Sequence, residues 1–219
     1  ATTEIYTLSL HDALPISTPT NGGLPLLDGT IDWVKAAQLP TSTNHNYKAG
    51  IPLHSLTVAG GKYVKVVPTV LGLVDGGVGT TNARLTFSDG GLTGPAPIIG
   101  AMMAGDLNAT TFRITNLNTL VMPVGAVANP AALTFALNAA TGALSGTFTL
   151  AKDPDPTDHV LPIALLSRKV AFAGVIVPRV SINKGVGYFL MPKLPEDGPP
   201  KTTLLTSDIL SGSVELGPK

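Results

Sequence analysis

The densest group of residues that could do chemistry is the segment DPDPTDH at positions 153–159. Asp153, Asp155 and Asp158 place three carboxylates within six positions, and His159 follows them directly. Calcium and other hard cations take carboxylate oxygens as ligands, so the three aspartates are a candidate metal site. The segment lacks the central glycine and distal glutamate of a calcium loop, and its prolines are typical of turns. We therefore expect a solvated hairpin loop and no bound metal.

Aromatic and amide side chains form a second candidate site, suited to a sugar. Tyr47 and Tyr63, with the polar Asn44 and Asn46 beside the first ring, could stack on and hydrogen-bond to a carbohydrate. Aromatic residues make up only 5% of the chain, and a core needs large apolar side chains. We therefore expect Trp33 and Tyr188 in the core and Tyr47 and Tyr63 at a candidate ligand site.

No catalytic motif or cofactor motif occurs in the chain. The segment LGLVDGGVGTT at 71–81 spaces Gly72 and Gly77 as in a phosphate-binding loop, but Val78 stands where the motif requires lysine. The serine-hydrolase elbow, the zinc-protease helix and the dinucleotide fingerprint are all missing. The chain has no cysteine, which excludes disulfides, thiolate metal sites and a cysteine nucleophile. We predict no catalytic residue and no cofactor.

Charge and composition exclude two further classes of partner. The chain has 14 basic and 14 acidic residues, so nothing in its net charge favours nucleic acid. Charged residues are 13% of the chain, against about 25% in typical domains. No apolar run approaches the ~20 residues of a membrane-spanning helix. The 24 glycines and 19 prolines favour short strands over long helices.

The elements that must position these side chains are predicted to be strands, because apolar and polar residues alternate along them. The predicted strands lie at 29–36, 54–59, 62–67, 82–88, 110–115, 133–138, 143–150, 168–177, 186–191 and 211–216. Gly60 and Gly61 predict a tight turn between the second and third strands, and 133–150 is predicted to be a hairpin. Residues 98–104 could form a helical turn. The expected fold is all-β, an antiparallel sandwich or barrel of about ten to twelve short strands.

Within these strands, two phenylalanines are predicted to be core residues. Phe148 and Phe172 alternate with polar or small neighbours on the faces expected to point inward. Gly146 and Gly174 share those faces, and a glycine in a strand often marks close packing against an aromatic ring. Replacing either ring should therefore leave a destabilising cavity.

The first sixteen residues, ATTEIYTLSLHDALPI, resemble the translation of a short-read sequencing adapter in a single reading frame. Segments of that origin are excluded from fold reasoning. We accordingly expect residues 1–20 to lie outside the fold and the natural N-terminal part of the protein to be missing. Residues 21–219 are expected to form a single β-rich module, with a division into two lobes near residue 125 as the alternative.

Three stretches of the C-terminal half resemble an uncharacterised β module of large exported planctomycete and verrucomicrobial proteins. They are TGALSGTFTL at 141–150, RKVAFAG at 168–174 and GYFL at 187–190. Two N-terminal stretches, GTIDW at 29–33 and LTV at 56–58, also fit, so the likeness covers about residues 29–216. The resemblance implies export but transfers no active-site residue.

These observations lead to three functional hypotheses. The favoured one is a non-catalytic module of an exported or cell-surface multidomain protein with a structural, capping or adhesive role. Its expected partners are surface polysaccharide or neighbouring domains of the same chain. The alternative is a carbohydrate-binding domain. The least favoured is a hydrolase that uses an aspartate of 153–159 with His159.

Overall fold

The structure is a computed structural model, and it describes residues 6–9, 20–21, 24–64, 81–92, 107–108, 110–115, 117–154, 165–178, 184–193 and 202–219. Every element named in these ranges is a β-strand, and all of the strand pairings are antiparallel. The predicted all-β class is thus confirmed. The strands form a large sheet and a small one.

The large sheet has eight strands and curls until it is nearly closed. Its strands are β5 (Ala83–Asp89), β6 (Thr111–Ile114), β7 (Leu120–Val121), β8 (Thr134–Leu137), β9 (Ala143–Pro154), β10 (Leu165–Val177), β11 (Lys184–Pro192) and β12 (Ile209–Pro218). They pair in the order β7-β6-β5-β12-β11-β10-β9-β8. Phe112 of β6 and Phe135 of β8, near opposite ends of this order, have ring centroids 5.5 Å apart. Packed side chains therefore join the two edges.

Phenylalanine rings fill the inside of the curled sheet. Phe87 lies 4.9 Å from Phe148 and 5.3 Å from Phe172, measured between ring centroids, and its strand β5 is not adjacent to either β9 or β10. Phe148 is fully buried and Phe172 is 3% exposed, as the alternation predicted. A Cβ atom added at Gly146 would lie 2.4 Å from the Phe172 ring, so this glycine makes room for the ring.

The small sheet is built on a hairpin of two long strands, β3 (Leu24–Lys35) and β4 (Ile51–Gly61). Two short strands, β1 (Tyr6–Ser9) and β2 (Thr20–Asn21), pair with β3. β3 pairs with β4 from Leu26 opposite Gly61 to Lys35 opposite Ile51. Part of the segment expected outside the fold, Tyr6–Ser9, is therefore a strand of this sheet.

Two local predictions differ from the structure. The turn predicted at Gly60 and Gly61 is wrong, because both glycines continue β4, which pairs with β3 instead of with 62–67. Asp153, expected in a loop, has its main chain in β9 opposite Leu166. The helical turn predicted at 98–104 lies outside the described residues. The large sheet has strands on both sides of residue 125.

Candidate ligand-binding groove

A groove of about 470 Å³ lies between the small sheet and the outer face of the large sheet. One wall comes from β3, β4 and the connection between them, and the other from β11, β12 and the end of β5. Its aromatic lining residues are Trp33, Tyr47 and Tyr188, and its polar ones are His54, Asp89, Ser211 and Ser213. The groove thus combines three rings with several hydrogen-bonding groups.

Tyr188 stands on the floor of the groove with 57% of its surface exposed. Its neighbour Phe189 is buried, and successive side chains of a strand point to opposite faces of the sheet. With Phe189 in the interior, Tyr188 must point outward. The prediction that Tyr188 belongs to the core is therefore wrong.

The residues in register with Tyr188 are small, which leaves its ring prominent. Ala173 of β10 and Ser213 of β12 lie directly opposite it, and Ser145 and Ser88 continue the row on the next strands. All of these side chains are exposed. The outer face of the sheet is therefore a low, partly hydroxylated surface from which one aromatic ring projects.

Trp33 forms the opposite wall and contacts the second tyrosine of the groove. It lies opposite His54 in the pairing of β3 with β4, and its side chain is half-buried. The Trp33 and Tyr47 ring centroids are 6.1 Å apart with an angle of 83° between the ring planes, an edge-to-face contact. Trp33 was predicted to be a core residue; in the structure it lines the groove instead.

The backbone of Tyr47 is left-handed, with φ of 50°. Such a conformation is rare for a bulky residue and costs about 1–3 kcal/mol. A lysine holds the turn that contains it: Lys35, only 7% exposed, donates a hydrogen bond of 2.6 Å from Nζ to the carbonyl oxygen of Asn46. Gln38 donates to the same oxygen at 3.0 Å. The backbone next to the strained residue is thus held by two side-chain hydrogen bonds.

Asn44 and Asn46, predicted as ligand-binding residues, help to hold this turn. The side-chain oxygen of Asn44 accepts a hydrogen bond of 2.9 Å from the main-chain nitrogen of Asn46. The main chain of Asn46 also forms a bridge with Ile209 at the start of β12. Neither asparagine is among the residues that line the groove.

Tyr63 lies elsewhere, against the turn between β8 and β9. Its hydroxyl donates a hydrogen bond of 2.9 Å to the carbonyl oxygen of Ala139. A Cβ atom added at Gly142 would lie 2.9 Å from the Tyr63 ring, so the two residues are in close contact. Partial burial raises the pKa of the Tyr63 phenol above the ordinary value for tyrosine. Of the two tyrosines predicted at a ligand site, only Tyr47 reaches the groove.

Most of the aspartate candidates fall outside the residues that the structure describes. Asp155, Asp158 and His159 lie outside the described residues, and for Asp153 only the main chain is described. Within the ranges that the structure covers, no three His, Asp or Glu side chains are close enough to share a metal ion. Those same ranges contain no helix with the length and apolar character needed to cross a membrane.

Sequence reasoning missed the groove because two of its rings were assigned to the core by composition. The signal that was available is the pair Tyr188-Phe189, since adjacent residues of a strand cannot both point inward. The contribution of Trp33 to the groove could not be predicted from the sequence around it, because it depends on how the small sheet lies against the large one. Comparison of the chain with protein-family models, with curated proteins and with solved structures gives no match.

Proposed function

We propose that the protein is a non-catalytic glycan-binding module of an exported or cell-surface protein, and that it binds its ligand in the groove between the two sheets. One observation carries the proposal: three aromatic residues line a single surface cavity outside the phenylalanine-rich core. All six phenylalanines are buried in or packed against the core, whereas Trp33, Tyr47 and Tyr188 line one cavity. A chain with few aromatic residues thus has three of them at one surface site.

The chemistry of these side chains suits a sugar. Tyrosine and tryptophan present an apolar face together with a polar group, so they can stack on the C–H face of a sugar ring at a wet surface. The hydroxyls of Ser211 and Ser213 and the imidazole of His54 supply donors and acceptors for sugar hydroxyls. The groove volume of about 470 Å³ falls in the usual range of 300–1,000 Å³ for small-ligand sites.

The strain at Tyr47 also supports a binding role. A left-handed bulky residue persists only where its surroundings enforce it, and such residues concentrate at functional sites. Here the enforced residue is one of the three that bring a ring to the groove.

Affinity electrophoresis in gels containing soluble polysaccharides tests the proposal. We expect cellulose, chitosan or xylan derivatives to retard the protein, and the variant Tyr188→Ala to lose at least tenfold in affinity. Leu190→Ala is the matched control, because Leu190 is 44% exposed on the same strand and face but does not line the groove. Equal retardation of the two variants would place binding elsewhere, and no retardation by any of the gels would contradict a glycan-binding function.

A further inference from the structure

We propose that the glycan bound in the groove carries a protonated amine, as a 2-amino-2-deoxy sugar does, and that the carboxylate of Asp89 recognises it. This inference rests on the proposed glycan-binding function and specifies its ligand class. It depends on the placement of Asp89, on the charge of the groove and on the spacing between the carboxylate and the rings.

Asp89 ends β5, where the backbone departs from the strand. By alternation from the buried Phe87 and the exposed Ser88, position 89 should point into the interior. Its φ of 62° breaks the alternation, and its side chain is exposed and lines the groove. Aspartate tolerates this left-handed conformation better than most residues, so the turn can place a carboxylate in the lining of the groove.

Asp89 determines the charge of the groove at neutral pH. Among the lining residues it is the only carboxylate or ammonium group. The buried ammonium group of Lys35 does not line the groove and donates a hydrogen bond to the carbonyl oxygen of Asn46. No described side chain forms an ion pair or a hydrogen bond with the Asp89 carboxylate. The groove therefore offers an unneutralised negative charge beside three rings, and each ring face also attracts a cation.

The spacing favours a chain of sugars over a compact cation. Tyr188 and Ser213 are in register, as are Asp89 and Gly212, so Asp89 lies two strands from Tyr188 and one residue along. With strands about 4.8 Å apart, the two Cα atoms are separated by about 10 Å. An ammonium ion caged by aromatic rings must lie within about 6 Å of each centroid. Linked sugar units can instead stack on Tyr188 and present an amine to Asp89.

Isothermal titration calorimetry with three hexasaccharides tests the inference: glucosamine, N-acetylglucosamine and β-1,4-linked glucose, at neutral pH and low salt. Acetylation removes the charge of the amine, so the first two differ at the group that Asp89 is proposed to bind. We expect the glucosamine hexamer to bind about fivefold more tightly than either neutral one, the scale of a partly exposed ion pair. Added salt should reduce this preference.

The variant Asp89→Asn should bind the glucosamine hexamer no more tightly than the two neutral hexamers, because it removes the negative charge while asparagine, like aspartate, tolerates a left-handed backbone. Asp208→Asn is the matched control, since it removes one exposed carboxylate that does not line the groove. Equal affinity for all three hexamers, or a preference that survives in Asp89→Asn, would overturn the inference and leave glycan binding standing. Failure of all three to bind would overturn both.

Discussion

Tyr47 shows how a single residue of this protein is held in a costly conformation. Its left-handed backbone is opposed by about 1–3 kcal/mol, and the connection between β3 and β4 supplies the compensating contacts. Gly50 closes that turn by donating its N–H to the carbonyl oxygen of Tyr47 at 2.9 Å. Its own φ is 81°, and a Cβ atom there would lie 2.7 Å from the carbonyl oxygen of Lys35. Glycine is the one residue type that fits this position without strain.

Replacing Gly50 with alanine should therefore lower the free energy of unfolding by about 1–3 kcal/mol, since the new methyl group meets main-chain atoms that cannot yield. Gly29→Ala is the control: nothing lies within 4 Å of a Cβ at Gly29, and its change should stay within about 0.5 kcal/mol. Urea titration followed by circular dichroism measures both. Equal free energies of unfolding for the two variants would show that the turn containing Tyr47 and Gly50 is not strained.

At the residue scale, the sequence predicts the core better than the groove. Phe148 and Phe172 were predicted to point inward from alternation alone, and both are buried. The core assignment of Trp33 and Tyr188 was wrong, because a low aromatic content does not determine which rings lie inside. In the interior, Gly146 and Gly212 leave room for the rings of Phe172 and Phe189, and phenylalanine supplies the buried aromatic side chains of the core.

At the scale of elements, strand positions follow from local pattern but strand partners do not. Nine predicted strands overlap strands of the structure, since alternation over a few residues records which face is buried. The partner of β4 was wrong, although Gly60 and Gly61 resemble a hairpin turn. β4 instead pairs along its length with β3, across a connection that the local glycine pair does not reveal.

The predicted core strands can be tested by truncating their rings. Phe148→Ala on β9 and Phe172→Ala on β10 each remove a buried ring and leave a cavity, which costs about 3–5 kcal/mol. Val175→Ala is the control, because Val175 is 50% exposed on the outer face of β10. Guanidinium titration should show both phenylalanine variants close to unfolding and the valine variant within about 0.5 kcal/mol of the parent. Phenylalanine variants as stable as the valine variant would contradict the assignment of the core.

At the scale of the whole molecule, the groove belongs to neither sheet alone. The large sheet contributes Tyr188 and Asp89, and the small sheet contributes Trp33 and the turn that carries Tyr47. Ile209 of β12 donates its N–H to the carbonyl oxygen of His45 at 3.1 Å, which ties that turn to the large sheet. Contacts between distant parts of the chain thus create the site, and for this reason no local sequence motif predicts it.

Trp33 is the only tryptophan of the chain and lines the groove, so its fluorescence reports on groove occupancy directly. The most direct test of the proposed function is acrylamide quenching of this fluorescence, with and without each of the three hexasaccharides. We predict that a bound hexasaccharide shields Trp33 from acrylamide and shifts its emission, with a saturable dose dependence that Tyr188→Ala weakens at least tenfold. Hexasaccharides that bind by calorimetry but leave the quenching of Trp33 unchanged would contradict binding in the groove.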